Sequence, residues 1–363
     1  MTQNQNRTEI PMKDQMKKFL IKSLYGFNTV LMFGIGRRLG IFDYLLEKSK
    51  SSSSSEKKSS VLFTLEELSE NLNLNLGHLD AWGHLSLECG LFEIDHSCER
   101  CLKSAPHVFE LLIDRDSQFY IGDTMGAFYW FAPYQDKTVE NFKTGNIITD
   151  HDVSDEVIQD TMLMGGRFGS LLERLFARNF KDFCKNLRKQ GSILTVGCGY
   201  GFNLQVWAKK YKKAQFVGID INPKAVELAK ELFKNNNLGD RVEILEIPIH
   251  EYANTTTKKF DLILLNQVLH EMNHDEKYRI NVFNDLYSLL KEDGVLLVGE
   301  SMIPDTFTPK KEFQLFDVMH KFMEVGFARF YDEKTFKDFV DKTKFSKTEF
   351  VKKGGVYFWA LKK

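Results

Sequence analysis

The sequence predicts an α/β protein, with a doubly wound, mostly parallel sheet preceded by a mainly helical domain of winged-helix type. Three observations carry that prediction. From Gly191 onward short apolar runs alternate with helical patterns, the first such run ends in a glycine-rich turn, and the stretch before residue 115 reads helix, helix, strand, turn, strand. At 363 residues and 43% apolar composition the chain is long enough for about two domains with real cores. We place the boundary near residue 115, giving domains 1–115 and 116–363.

The opening 18 residues are polar and charged, and an apolar helical segment follows from Phe19 to about Leu46. No leader-like apolar core and no run of 18 uninterrupted apolar residues is present, so the expectation is a cytoplasmic protein without a membrane span. Residues 48–60, KSKSSSSSEKKSS, form a Ser/Lys tract with too little apolar area to order itself and read as a disordered surface insertion. Thr64 then caps a helix, with Glu67 three residues on suggesting a capping box and Leu65, Leu68 and Leu72 at helical spacing. A second helix runs through HLDAWGHLSLECG into a strand at Leu91–Ile94.

Charge decides what a winged helix of this composition can meet. Forty-nine Lys and Arg against fifty Asp and Glu leave a net charge of −1, and between Val61 and Glu110 nine acidic residues face two basic ones, a local balance of −7. A phosphate backbone is repelled by such a surface, so no nucleic-acid partner is expected and the module reads as a dimerisation element. Five scattered cysteines make no disulfide framework and favour a reducing compartment. His96, Cys98, Cys101 and His107 have ligand-like spacing, but a single C-x-x-C is a poor zinc signature and no metal is expected. The lysines at 209, 210, 212 and 213 sit at a helix end, where cations complement the dipole, and read as solvated surface.

Residues 117–183 are helical in pattern and contain an aromatic stretch, Phe119–Tyr134, and a Met/Gly-rich one, Met162–Phe176. Core packing explains such stripes as well as a cavity wall does, and one face can serve each purpose. Phe128, Trp130, Met162 and Phe168 are the wall candidates. The alternating part then reads as strands at Ser192–Val196, Gln215–Asp220, Val242–Ile247, Asp261–Asn266 and Val295–Glu300. Helices are expected at Asn203–Lys210, Pro223–Asn235 and Tyr278–Leu290, with a closing hairpin of Phe345–Val351 and Val356–Leu361 across Lys353–Gly355.

The first strand ends in ILTVGCGYGFN, which spaces Gly197, Gly199 and Gly201 as G-x-G-x-G. A dinucleotide fingerprint would need glycine at 202, where Phe stands. The shorter spacing resembles the first motif of class I S-adenosylmethionine-dependent methyltransferases. Glycines there let the backbone approach the ligand, and the following helix offers free N–H groups to a carboxylate. The second strand ends at Asp220, 23 residues after Gly197, where a carboxylate can accept both hydroxyls of a ribose.

The segment FDLILLNQVLHEMNHDEKYRINVFNDLYSLLKEDGVLLVGESMIPD resembles the corresponding part of the plant-type small-molecule O-methyltransferases, and ENFKTG (Glu140–Gly145) with the winged-helix half is similar to that family too. The resemblance implies a Rossmann-like methyltransferase sheet, S-adenosyl-L-methionine as cofactor, a homodimer, and a small aromatic hydroxyl compound as substrate. It implies that His270 is the general base and Glu300 the carboxylate orienting it. Gly197, Gly199, Gly201, Asp220 and Asn266 are the implied cofactor contacts. Asp317, Met319, His320 and Met323, on a helix after Glu300, are implied to face the substrate. A phenol with a pKa near ~10 is a weak nucleophile until its proton is removed, which is why such a reaction needs a base.

The sequence also departs from the pattern. Thr195 stands where an acid commonly precedes the glycine turn, Pro248 where an acid lies near the adenine, and Asn266 where lysine is frequent. The second glutamate flanking the histidine maps onto Ala328, beside Arg329. These gaps leave two alternatives open: methyl transfer to carbon or nitrogen, which has less need of His270, and a ligand-binding protein of this fold without turnover.

Overall fold

The computed structural model describes residues 11–51, 60–98, 100–129, 134–148, 154–303, 314–324, 328–353 and 356–363. The chain divides into two compact units, Met1–Asp136 and Lys137–Lys363. The division falls beyond residue 115 because the intervening residues pack on the first helix. Arg37 pairs with Asp123 at 2.9 Å and donates to the Tyr120 hydroxyl at 2.9 Å, and Gly34 leaves room for the Tyr129 ring.

The first unit opens with α1 (Met12–Arg38) and α2 (Ile41–Ser51). The single segment expected over 19–46 is therefore two helices, parted where Gly40 takes φ +75°. By length and composition α1 could cross a membrane, which the sequence reading did not anticipate, since charged residues interrupt its apolar run. Only its second half is buried, through Met32, Phe33, Gly34 and Gly36. The Ser/Lys insertion starts later than expected: Lys48 to Ser51 end α2, Ser49 is buried, and Lys48 pairs with Glu67; residues 52–59 lie outside the described residues.

Next come β1 (Leu62–Thr64), α3 (Leu65–Leu72), α4 (Leu76–Glu88), β2 (Phe92–Asp95) and β3 (Cys101–Ser104). The strands pair antiparallel in the order β1-β3-β2, completing the winged-helix arrangement. Thr64 caps α3 by accepting from the Glu67 N–H at 3.1 Å. The expected reciprocal half of the capping box is missing, because the Glu67 carboxylate turns to Tyr44 and Lys48. Cys98 and Cys101 pair as a disulfide in the turn between β2 and β3, which the expectation of five unpaired cysteines had not included. Phe33, Phe42, Phe63, Trp82 and Phe92 centre the core. A π-helical turn (Phe109–Ile113) and α5 (Gly122–Tyr129) end this unit's described helical structure, and α6 (Gln135–Thr144) begins at the division.

The second unit continues with α7 (Asp155–Asn179), α8 (Lys181–Lys189), β4 (Ser192–Val196), α9 (Phe202–Lys210), β5 (Gln215–Asp220), α10 (Pro223–Asn235), β6 (Val242–Glu246) and α11 (Ile249–Thr255). It ends with β7 (Phe260–Asn266), α12 (Glu276–Leu289), β8 (Leu290–Gly299), α13 (Gln314–Met323), α14 (Glu333–Val340), β9 (Lys347–Lys353) and β10 (Val356–Lys362). The seven strands run β6-β5-β4-β7-β8-β10-β9; the first five are mutually parallel and β10 is antiparallel to both neighbours. Alternation along each buried strand feeds two cores. Ile193, Leu262, Leu264 and Leu297 pack toward α7 to α10, and Leu194, Ile263, Leu265 and Val298 toward α11, α12 and α14. Among the lysines of the α9 end, Lys210 is not merely solvated: it pairs with the buried Glu173.

Leu297 is fully buried on a central strand. Replacing it by alanine is expected to cost about 2–5 kcal/mol, read as a lowered urea midpoint; a shift below about 0.5 kcal/mol would show that the sheet is not the stabilising core.

Candidate active site

The strand order reverses between β4 and β7, the place where open α/β sheets leave a crevice at their carboxyl ends. The chain turns out of β4 through Gly197, Gly199 and Gly201, with φ of +64°, +51° and +83°. A side chain at Gly197 would collide with Val268, and one at Gly201 with Phe233. Asp220, ending β5, ties this turn down: its carboxylate accepts from the Gly199 N–H at 2.7 Å and from the Asn222 N–H at 2.9 Å. The expected ligand carboxylate thus also shapes the loop. Cys198, between the first two glycines, is buried, and burial with the nearby Asp220 charge pushes its thiol up to about 12, which keeps it protonated.

Helix α7 lies close over the same turn. Gly166 and Gly169 leave room for Phe202 and Asn203 at the start of α9, and the Met162 sulfur would sit 3.3 Å from a Cβ on Gly199. Met162 therefore belongs to the crevice, whereas Phe168 is half-buried on α7 with no ring contact to the loop among the described residues. Phe128 lies half-buried on α5 of the first unit, and Trp130 falls outside the described residues. Around the turn, Thr195 Oγ1, Asn203 Oδ1 and Asn266 Oδ1 are buried polar atoms without a hydrogen-bond partner in the protein. Buried polar groups are rarely left so unless a ligand or water completes them. Asn203 Oδ1 faces Gly169 of α7 and Asn266 Oδ1 faces Gly299 of β8, so what the turn itself offers a small ligand is side-chain-free backbone at Gly197, Gly199 and Gly201 and the Asp220 carboxylate.

The chemical centre lies one strand further along. Because β7 and β8 are parallel neighbours with Asn266 opposite Gly299, the residues just beyond them meet. Gln267 turns the chain with a left-handed φ of +54°, unusual for a side-chain-bearing residue, and donates its N–H to the Gly299 carbonyl at 2.7 Å. His270 follows, almost fully buried. Its Nδ1 lies 2.8 Å from Glu300 Oε1, and Glu300 also accepts from the His270 N–H at 3.2 Å and the Ser301 N–H at 2.9 Å. The pairing implied by the resemblance is present.

The second flanking carboxylate, expected at Ala328, comes instead from Glu324, whose Oε2 lies 3.1 Å from His270 Nε2. The only sequence signal for it is that His320 and Glu324 stand four apart, one helical turn, in HKFME. His320 Nε2 is 2.9 Å from Glu324 Oε1 and its Nδ1 is 3.2 Å from Ser301 Oγ. Phe330 stacks on the His270 ring at 5.2 Å. Of the other residues proposed on α13, Asp317 accepts from the Tyr357 hydroxyl at 2.8 Å, Met319 is half-buried, and the Met323 side chain lies outside the described residues. Burial alone would lower the His270 pKa; Glu300 and then Glu324 outweigh it and raise it to about 11. Glu324 would be raised by burial, but the two histidines bring it down to about 2, and His270 likewise holds Glu300 below the ordinary carboxylate range. The imidazole thus lies between two carboxylates that favour its protonated form.

Residues 187–345 match the model of a family described as a methyltransferase domain. Curated relatives include the ribosomal protein L11 methyltransferase of Thermosipho africanus, 32% identical over 41% of this chain and 53% of that one. Another is malonyl-[acyl-carrier protein] O-methyltransferase 1 of Ilyobacter polytropus, 32% identical over 40% and 48%. The chain spans about half the length of these curated relatives. Solved structures share the fold along nearly the whole chain. The mitomycin 7-O-methyltransferase MmcR aligns with a TM-score of 0.63 and 16% identity over 96% of this chain and 98% of its own. Human N-acetylserotonin methyltransferase in complex with SAM aligns at 0.65 and 15% over 97% and 99%.

The raised His270 pKa contributes stability that is complete below pH about 6.5 and is lost as pH climbs toward about 11. The depressed Glu324 pKa contributes above its ordinary 4.5 and loses that contribution as pH falls toward about 2. The stability gap between wild type and Glu324→Gln, from urea unfolding across pH, should therefore be widest between those two ordinary values and narrow on either side. A gap independent of pH would refute the ion pair.

Proposed function

We propose, from the methyltransferase domain that residues 187–345 carry, that this protein transfers a methyl group from S-adenosyl-L-methionine to a hydroxyl of a small aromatic metabolite, with His270 as general base. The single observation that carries the oxygen-directed reading is the buried histidine held between Glu300 and Glu324. A hydroxyl must lose its proton as it attacks, and an imidazole fixed by a carboxylate on Nδ1 can take that proton on Nε2. The imidazolium that results is then already solvated by two negative charges. A second carboxylate beside the histidine, from Glu324, supports turnover over silent binding, while the substitutions at Thr195 and Pro248 stand.

The cofactor supplies the methyl group on a sulfonium. Gly197, Gly199 and Gly201 would let the backbone approach it, Asp220 would accept from its ribose hydroxyls, and Asn266 would lie beside it at the end of β7. Positioning by these residues would set the methyl donor in line with the acceptor oxygen.

The protein works as a homodimer. The first half of α1 exposes Phe19, Leu20, Ile21, Leu24 and Phe27, an apolar run that asks for cover, and a net charge of −1 does not oppose a second copy. The double variant Phe19→Asp with Leu24→Asp should sediment as a monomer where wild type sediments as a dimer; a monomeric wild type would refute the assignment.

Incubation with labelled S-adenosyl-L-methionine and a panel of phenols should yield O-methyl ethers at a rate that EDTA does not change. His270→Ala should lose about 10²–10⁴-fold in turnover while binding the cofactor normally by calorimetry. Full activity of that variant would eliminate the base, and no cofactor binding by wild type would eliminate the enzyme.

A further inference from the structure

The two sides of His270 are held in different ways. On the Nδ1 side, Glu300 takes one ring contact at 2.8 Å and two backbone N–H bonds, so it is anchored. On the Nε2 side, Glu324 Oε2 comes within 3.1 Å as an ion-pair contact whose geometry falls short of an aligned hydrogen bond, and that buried oxygen has no other donor among the described residues. The alignment is spent elsewhere: Glu324 Oε1 takes a 2.9 Å bond from His320, which sits edge-on to the His270 ring at 4.4 Å and is braced by Ser301.

We propose that His320 is a positioning residue for the base: by holding one oxygen of Glu324 it keeps that carboxylate from locking onto His270, so that Nε2 can be yielded to the substrate hydroxyl. This rests on the reading of His270 as base. A carboxylate whose charge is divided between two donors attracts each proton less than one devoted to a single donor. The proton that Nε2 carries is released to solvent, the hydroxyl takes the place of Glu324 Oε2, and its proton passes to Nε2 as the oxygen electron pair attacks the methyl carbon of S-adenosyl-L-methionine, whose carbon–sulfur bond breaks with its electron pair left on the sulfur as a neutral thioether. Glu324 stays bonded to His320 throughout, close enough for its charge to favour the imidazolium.

Other charged groups bear on the same network. Glu271, in the turn with His270, has Oε1 3.7 Å from Nε2. Glu300 and Ser301 follow β8, Asp317 lies on α13 with Tyr357 of β10 bonded to it, and Arg329 donates its backbone N–H to the His270 carbonyl at 2.9 Å. None of these holds the second oxygen of Glu324 as His320 does.

The test is the pH profile of kcat/KM for His320→Ala and His320→Gln, with S-adenosyl-L-methionine and a phenol accepted in the panel. Freed from His320, Glu324 should close on His270. The rising limb of the His320→Ala profile should then move up by about one pH unit, roughly a tenfold loss at neutral pH that disappears at high pH. Glutamine, which still offers an N–H, should restore most of the wild-type profile. A His320→Ala profile that keeps its shape, whether unchanged or lowered equally at every pH, would overturn the proposal, as would failure of glutamine to rescue. His270→Ala in the same assay separates the two readings: its full activity would remove the base itself, whereas an inactive His270→Ala beside an unshifted His320→Ala would remove only the role of His320.

Discussion

The reversal of strand order between β4 and β7 is the constraint on which the site depends. Chain from β4 crosses to β5 and β6 on one side, and β7 and β8 return on the other, so the crossovers leave the carboxyl ends of β4 and β7 open between them. Each residue of chemical interest is one short step past a strand end: Gly197 beyond β4, Asp220 ending β5, His270 beyond β7, Glu300 beyond β8. The ladder fixes those ends against one another to fractions of an ångström. Residues more than twenty positions apart in sequence thereby gain a common geometry without any loop having to supply it.

Putting three ionisable groups in one apolar neighbourhood is costly, and the structure shows how that cost is offset. Glu300 is entirely buried, and an isolated carboxylate there would be neutralised. It keeps its charge because two backbone N–H groups and an imidazolium converge on it. The same convergence fixes which nitrogen of His270 faces the crevice. An arrangement that satisfies the electrostatics of the fold also commits Nδ1 to Glu300, so any exchange of partners falls to Nε2, which faces Glu324.

What could be read from the sequence followed what is local. Apolar runs punctuated by glycine and proline gave β4, β5 and α10 to the residue, because those elements are set by alternation, by the turn at Gly197 and by Pro223 at a helix start. His270 and Glu300 were legible because parallel neighbouring strands turn a motif spacing into a contact. Glu324 was not, since a helix outside the sheet can present a carboxylate from any of several turns, and only packing decides which. The buried partner of Lys210 was hidden for the same reason, since Glu173 lies 37 residues away and only packing brings it near. The capping box failed by half because a lysine and a tyrosine distant in sequence outbid the helix for Glu67.

The division of labour around His270 has a structural logic. A general base must hold one ring nitrogen still and exchange partners at the other. Glu300 follows a central strand and cannot shift without breaking the β7 and β10 ladders on either side. Glu324 follows a helix that takes no part in the sheet, so its carboxylate can change partners without disturbing the ladder. The fixed contact thus comes from the most constrained layer of the molecule and the exchangeable one from its periphery. Had both carboxylates come from sheet strands, the imidazolium would be stabler, and the proton that the reaction must move would be harder to move.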